Sequence, residues 1–224
     1  LTSQLLHVIR VIGFLLITIA SLMIIPMIVS FGETPVNSNC FIFPFAISLL
    51  VGAAMAIPEA TSGSFELDRR QSFLITAGAW IIVPAFACLP LLVYKLSFVD
   101  AYFETVSGMT TTGATVMSGL DSTDASILLW RSILQWVGGV GIVVMAITMM
   151  PFLRVGGMQL FRTENSEKSE SIVAGSFALT RWILTIYATI TFSAILAYKL
   201  LGMTWFDAVN HAFTTVSTGG FSTH

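Results

Sequence analysis

Apolar runs of about 20 residues recur along this chain, separated by short polar stretches. The first covers residues 11–31, with no charge between Arg10 and Glu33. Others cover residues 41–58, 73–94, 127–151 and 177–201. About 20 apolar residues of helix cross a hydrocarbon core of roughly 30 Å, so the pattern predicts five membrane spans. Lipid offers open strands no hydrogen-bond partners, which leaves helix as the state of all five. Pro26, Pro44 and Pro84 lie inside spans and predict kinks there. The first run is too long for a secretory signal core, and no small-residue cleavage site follows it.

The stretch 97–126 fits neither a span nor a turn. Its first half is apolar, with Phe98, Val99, Ala101, Tyr102, Phe103 and Val106. About 12 helical residues reach only ~18 Å. A re-entrant half-helix that dips into the membrane and returns as extended chain is expected. Such backbone is allowed only where protein or a water-filled pore surrounds it.

A short motif marks this stretch and occurs twice. Phe98-Val99-Asp100-Ala101 leads into Thr110-Thr111-Thr112-Gly113-Ala114-Thr115, and Trp205-Phe206-Asp207-Ala208 leads into Ser217-Thr218-Gly219-Gly220-Phe221-Ser222. One ungapped shift of 107 residues carries Asp100 onto Asp207, Thr111 onto Thr218 and Gly113 onto Gly220. A shift of 106 would pair Thr112-Gly113 with Thr218-Gly219 instead, but it loses the Asp-Ala match. The first register is preferred. The expected architecture is an all-α polytopic membrane protein in which an N-terminal helix hairpin precedes helix–pore-loop–helix repeats of potassium-channel type. Residues 1–58 form the hairpin, 59–153 the first repeat, 154–171 a cytoplasmic loop and 172–224 a second repeat that stops inside its pore loop. The chain starts at Leu1 rather than Met and stops within a motif, so it reads as a fragment cut at both ends.

Composition agrees with a membrane setting. Hydrophobic residues make up 55% and charged residues 10%, against about 25% charged in soluble domains; mean hydropathy is +0.88. A net charge of -2 with no basic cluster excludes nucleic acid as a partner. Arg10, Arg69, Arg70, Arg154, Arg162, Lys168 and Arg181 fall on one side of the predicted spans, and Lys95, Arg131 and Lys199 on the other. The positive-inside rule then puts the N-terminus and the loops 59–72 and 152–176 in the cytoplasm, and 97–126 outside. Cys40, expected in a loop, and Cys88, expected in a span, are read as free thiols rather than a disulfide framework. No His/Cys cluster has metal-ligand spacing, and no nucleophile–base pair sits at membrane depth, so no catalytic set or cofactor is expected.

Glycine-terminated hydroxyl runs between spans suit a dehydrating cation. Such an ion needs oxygens in place of its water shell, and stacked backbone carbonyls provide them. Glycine permits a positive φ and removes the side chain, so carbonyls can line a narrow bore. The candidate filter residues are Thr110, Thr111, Thr112, Gly113, Ser217, Thr218, Gly219 and Gly220. The C-terminal end of each preceding half-helix adds partial negative charge. Glu104 and Arg131 are isolated ionisable residues at membrane depth and are expected to pair behind the filter. Asp100 and Asp207, in the first turn of each half-helix, are expected to be N-caps. Gly138-Gly139-Val140-Gly141 lies in a span, where close helix packing is its expected use. A secondary transporter with re-entrant loops and a midplane site is the alternative, although it calls for mid-span charges that are scarce here.

These motifs resemble the bacterial Trk/Ktr/HKT superfamily of potassium transporters, and within it the TrkH-type membrane subunit. The resemblance rests on Asp100-Ala101-Tyr102-Phe103-Glu104, Thr110 to Thr115, Gln135-Trp136-Val137-Gly138-Gly139-Val140-Gly141-Ile142, Val155-Gly156-Gly157-Met158-Gln159-Leu160 and Gly219-Gly220-Phe221-Ser222-Thr223-His224. It implies four pseudo-repeats around one pore, with an extra hairpin in front, in the bacterial cytoplasmic membrane. Potassium is then the transported substrate. The resemblance further implies a separate nucleotide-binding regulatory subunit on the cytoplasmic face and a homodimer of the full-length chain. About half of such a protein would be present.

Overall fold

The computed structural model describes residues 2–32, 39–57, 69–149 and 169–224. Among these the regular secondary structure is all helical, with no strand. The expected cytoplasmic loop, with Arg154, Arg162 and Lys168, and the Val155–Leu160 motif lie outside the described residues, as does most of the 59–72 loop.

The described residues form eight α-helices, in order α1 (Thr2–Ser30), α2 (Asn39–Ala56), α3 (Arg69–Ala87), α4 (Leu89–Val93), α5 (Phe98–Met109), α6 (Ala125–Met149), α7 (Ser169–Leu200) and α8 (Trp205–Val216). A 3₁₀ turn at Leu120–Ser122 precedes α6. Among the described residues four segments are long and apolar enough to cross a membrane: Leu5–Ser30, Arg70–Val93, Ala125–Met145 and Thr180–Leu200. The segment expected to span at 41–58 forms a shorter apolar helix, Cys40–Ala56. Pro26, Pro44 and Pro84 lie inside α1, α2 and α3. The third run is interrupted at Cys88, between α3 and α4, where Pro90 supplies no N–H.

Cys40 belongs to α2 and is buried, not in a loop, because the apolar run begins earlier than its polar flank suggests. Neither Cys40 nor Cys88 forms a disulfide.

Helix α1 presents one face to the core, with Val8, Ile12, Leu16, Ile19 and Met23 all buried at helical spacing. That face packs on α2, α3 and α6. The crossing with α2 is made at glycines: a Cβ on Gly13 would lie 2.7 Å from the Gly52 carbonyl oxygen. Small residues at such crossings let helix backbones approach closely, which is how helices associate in lipid. Helix α6 is the central post. It touches α1, α5, α7 and α8, and it buries Ile127, Trp130, Ile133 and Leu134. The Trp130 indole donates to the Ala87 carbonyl at 3.0 Å and meets the Phe41 ring edge-on at 6.2 Å. A post shared by α5 and α8 brings the ends of those two short helices together.

Candidate functional site

Each short helix opens with the same cap. The Ser97 hydroxyl accepts the Asp100 N–H at 3.2 Å and donates to Asp100 Oδ2 at 2.7 Å. The Thr204 hydroxyl accepts the Asp207 N–H at 3.1 Å and donates to Asp207 Oδ2 at 2.5 Å. The N-caps are therefore Ser97 and Thr204 rather than the expected Asp100 and Asp207, which stand at N3 and hold the capping hydroxyls in place. The signal was present in the sequence, as Ser-x-x-Asp and Thr-x-x-Asp.

Beyond the helices the backbones run in parallel conformations. Thr111 has φ 55° and Thr218 φ 58°; Gly113 has φ 77° and Gly220 φ 79°. The lead-in turns match as well, with φ 88° at Lys95 and 100° at Gly202. All these pairs obey the shift of 107 that carries Asp100 onto Asp207, and none obeys a shift of 106. A left-handed φ costs a side-chain-bearing residue roughly 1–2 kcal/mol, so Thr111 and Thr218 are held there by their surroundings. The Thr111 N–H bonds the Gly108 carbonyl at 2.9 Å and the Thr112 N–H bonds Ser107 at 2.9 Å. In the second copy the Thr218 N–H bonds Thr215 at 2.9 Å and the Gly219 N–H bonds Thr214 at 2.8 Å. Amides are thus tied back to the helix ends. Among the described residues the carbonyls of Thr111 to Gly113 and Thr218 to Gly220 accept no hydrogen bond. Two hydroxyls also turn back, Thr110 Oγ1 to Val106 O at 2.8 Å and Ser217 Oγ to Phe213 O at 2.8 Å. Thr110 and Thr112 share a hydroxyl–hydroxyl bond of 2.8 Å.

The two loops meet. A Cβ built on Gly113 would lie 1.9 Å from the Gly219 carbonyl oxygen, so any side chain there collides with the second loop as well as being strained by its φ. Gly220 faces open space, with nothing within 4 Å of such a Cβ. Gly138 in α6 would meet the Met109 carbonyl oxygen at 2.0 Å, and Gly139 would meet the Tyr187 hydroxyl at 2.7 Å and Ser217 at 3.0 Å. Those two glycines let α6 touch the end of α5 and the start of the second loop. At Gly141 a Cβ would meet nothing within 4 Å.

Glu104 and Arg131 are brought together in the interior. Arg131 Nη2 lies 2.7 Å from Glu104 Oε1, and both side chains are almost wholly buried. Arg131 Nε donates to the same oxygen at 2.8 Å. The pair also grips the first loop. Glu104 accepts the Thr115 hydroxyl at 2.8 Å and the Val116 N–H at 3.0 Å, and Arg131 donates to Thr115 Oγ1 at 3.1 Å. It reaches the second loop too, through the Ser222 carbonyl at 3.4 Å and the Phe221 ring at 4.2 Å. In the second copy His211 stands where Glu104 does, with Nε2 3.4 Å from Ser222 Oγ, the counterpart of Thr115. An imidazole thus replaces the carboxylate in bracing that loop.

At the mouth, Asp207 Oδ1 accepts the Thr223 hydroxyl at 2.9 Å. The Thr204 hydrogen bond holds the Asp207 carboxyl below its usual range, helped by Thr223 and by the two nearby histidines. His224 Nδ1 lies 2.7 Å from Asp121, which raises the imidazole above its ordinary value. His224 Nε2 lies 3.5 Å from Asp207 Oδ1, so this residue joins the far end of the first loop to α8. Behind the second loop Trp136 stacks on Phe213 at 5.3 Å and donates to Thr191 at 3.0 Å, which fixes α8 against α6 and α7. One buried residue escaped the sequence reading as an individual. Gln135 accepts the Phe221 N–H at 3.1 Å. Its signal in the sequence was an amide four residues beyond Arg131 in a largely apolar span, at the head of the Gln135–Ile142 motif.

A chain whose described residues form helices and no strand, with several segments long enough to span and two like helix–loop units on one central helix, is a multi-pass membrane protein. Residues 37–224 match the sequence model of the TrkH family, described as cation transport protein, and the chain belongs to that family. It is 40% identical to the Trk system potassium uptake protein TrkH of Halomonas elongata, over 97% of this chain and 46% of that protein. It is 39% identical to the protein of the same name from Escherichia coli, over 96% and 45%, and 34% identical to the Escherichia coli Trk system potassium uptake protein TrkG, over 100% and 47%. The crystal structure of the potassium transporter TrkH from Vibrio parahaemolyticus superposes with a TM-score of 0.83 at 36% identity, over 99% of this chain and 45% of that one. The chain thus spans about half the length of the relatives it matches.

Proposed function

We propose that this chain forms one side of a potassium-conducting pore, as part of the ion-translocating subunit of a Trk-type uptake system. The filter is built from Thr110, Thr111, Thr112 and Gly113 in the first loop and Ser217, Thr218, Gly219 and Gly220 in the second. The observation that carries this reading is the repeated left-handed backbone in two abutting loops: the amides of Thr111, Thr112, Thr218, Gly219 and Gly220 are bonded, while among the described residues the carbonyls of Thr111 to Gly113 and Thr218 to Gly220 are not. Alternating backbone handedness turns successive N–H groups to one side, and their carbonyls to the other. A row of unbonded carbonyls is what replaces the water of a dehydrated potassium ion. The helices α5 and α8 end at these loops, and their C-terminal partial charge favours a cation there.

Glu104 and Arg131 serve as internal support and carry no ion. Asp100 and Asp207 brace the caps. In this reading residues 1–58 are a hairpin outside the pore, 59–153 one helix–loop–helix unit, 154–171 a cytoplasmic loop, and 172–224 the opening of a second unit. Two further loops from the rest of the full-length protein complete the ring. The names of the relatives support potassium as the ion. The Lys/Arg asymmetry supports a cytoplasmic N-terminus, and kinship supports a bacterial cytoplasmic membrane. By kinship, a nucleotide-binding regulatory subunit docks on the cytoplasmic face and the full-length chain forms a homodimer.

The test uses the chain extended through the remaining loops, in a strain that cannot take up potassium. Gly113→Asp is expected to abolish growth at low potassium, because the side chain collides with Gly219 and puts a carboxylate beside the bore. Unchanged growth with normal membrane levels of the variant refutes the assignment.

A further inference from the structure

We propose that Gln135 is a positioning residue that sets the relative placement of the two loops, and with it the preference for potassium over sodium. The inference rests on the pore reading above. Gln135 is 0% exposed, on α6. Its Oε1 holds the Phe221 N–H, the first amide beyond Gly220. Its Nε2 has no hydrogen-bond partner among the described residues. A Cβ on Gly219 would stand 2.3–2.6 Å from three atoms of the Gln135 amide, and a Cβ on Gly113 would stand 3.9 Å from Nε2. The tip of this one side chain therefore sits where the two loops abut.

Gly219 differs from its neighbour in a telling way. Gly220 has a left-handed φ that itself favours glycine, but Gly219 does not. What excludes a side chain at Gly219 is the Gln135 amide pressed against it. The amide is thus both a tether, through Phe221, and a stop, against Gly219. A leucine would fill similar space without the cost of burying an unpaired donor. The polar tip is explained by what it does to the loop.

The full-length protein is assayed in proteoliposomes for potassium and sodium flux. Gln135→Leu keeps the bulk and removes the tether. The potassium/sodium flux ratio is expected to fall about tenfold, the loss of one hydrogen bond's discrimination, while potassium flux persists. A second pair of variants tests the stop. Gly219→Ala is expected to suppress potassium flux, and adding Gln135→Ala is expected to restore flux but not the ratio. An unchanged ratio in membrane-inserted Gln135→Leu overturns the proposal, as does failure of the double variant to recover. If Gln135→Leu does not reach the membrane, recovery in the double variant decides alone. A parent protein that does not discriminate the two ions sinks the pore reading instead, so the two failures are distinguishable.

Discussion

Arg131→Leu is the sharpest perturbation of the support behind the loops. Arg131 and Glu104 are 1% and 0% exposed, so the substitution strands a carboxylate in the interior. Severing one partner of a buried pair costs about 3–5 kcal/mol. Glu104 would keep the Thr115 hydroxyl and the Val116 N–H, which places the loss near the lower end, about 3 kcal/mol. At 1.4 kcal/mol per tenfold, that lowers the folded-to-unfolded ratio by roughly a hundredfold. The damage is directed. Thr115, Ser222 and Phe221 all lose a contact with the guanidinium, so both loops loosen together. The assay pairs thermal unfolding of the full-length protein in detergent with potassium uptake in cells. Arg131→Leu is expected to depress both. Glu104→Leu/Arg131→Leu removes both charges, and well-packed apolar replacements of a buried pair are often neutral. It is expected to regain most of the stability while uptake stays impaired, because the loop anchors are still missing. A single variant as stable and active as the parent would refute the argument. A double variant no more stable than the single would also refute it.

Three further outcomes are expected. A cysteine at Ser122, on the exposed turn before α6, should react with an impermeant thiol reagent added outside cells, and one at Ser169 should not; the reverse pattern would invert the orientation taken from the positive charges. The His224–Asp121 contact should depend on pH. A histidine whose folded-state value is raised contributes its stability fully below its unfolded value near 6.5 and loses it as pH rises through the raised value. NMR titration should therefore show His224 holding its proton above pH 6.5, with Asp121→Asn lowering that value; titration below 6.5 in the parent would refute the contact. Asp207 has the opposite sign. Its depressed value means that its contribution is complete above about 3.8 and is lost as pH falls through the lowered value.

Local pattern was enough for much of this protein. The length of apolar runs located four spanning helices, since lipid imposes a span of about 20 residues whatever the neighbours do, while the run at 41–58 forms a shorter apolar helix. The two Asp-Ala and Thr-Gly motifs located both loops, because a left-handed turn after a capped half-helix needs particular residue types at fixed spacing. Glu104 and Arg131 could be paired from sequence because lone charges at membrane depth have few other partners.

What the sequence left open was settled by distances between segments far apart in the chain. The choice of Gly220 over Gly219 as the counterpart of Gly113 turns on backbone dihedrals, because both residues are glycine. The capping hydroxyls of Ser97 and Thr204 were visible but were overshadowed by the aspartates three residues on. Gly138 against Met109, Gly113 against Gly219, and Gln135 against both loops are approaches across dozens of residues. No local periodicity encodes them. A glycine or a glutamine in a span reads the same whether it faces lipid or another backbone. Only the packing of α5 and α8 on one shared helix decides which carbonyl each of them meets.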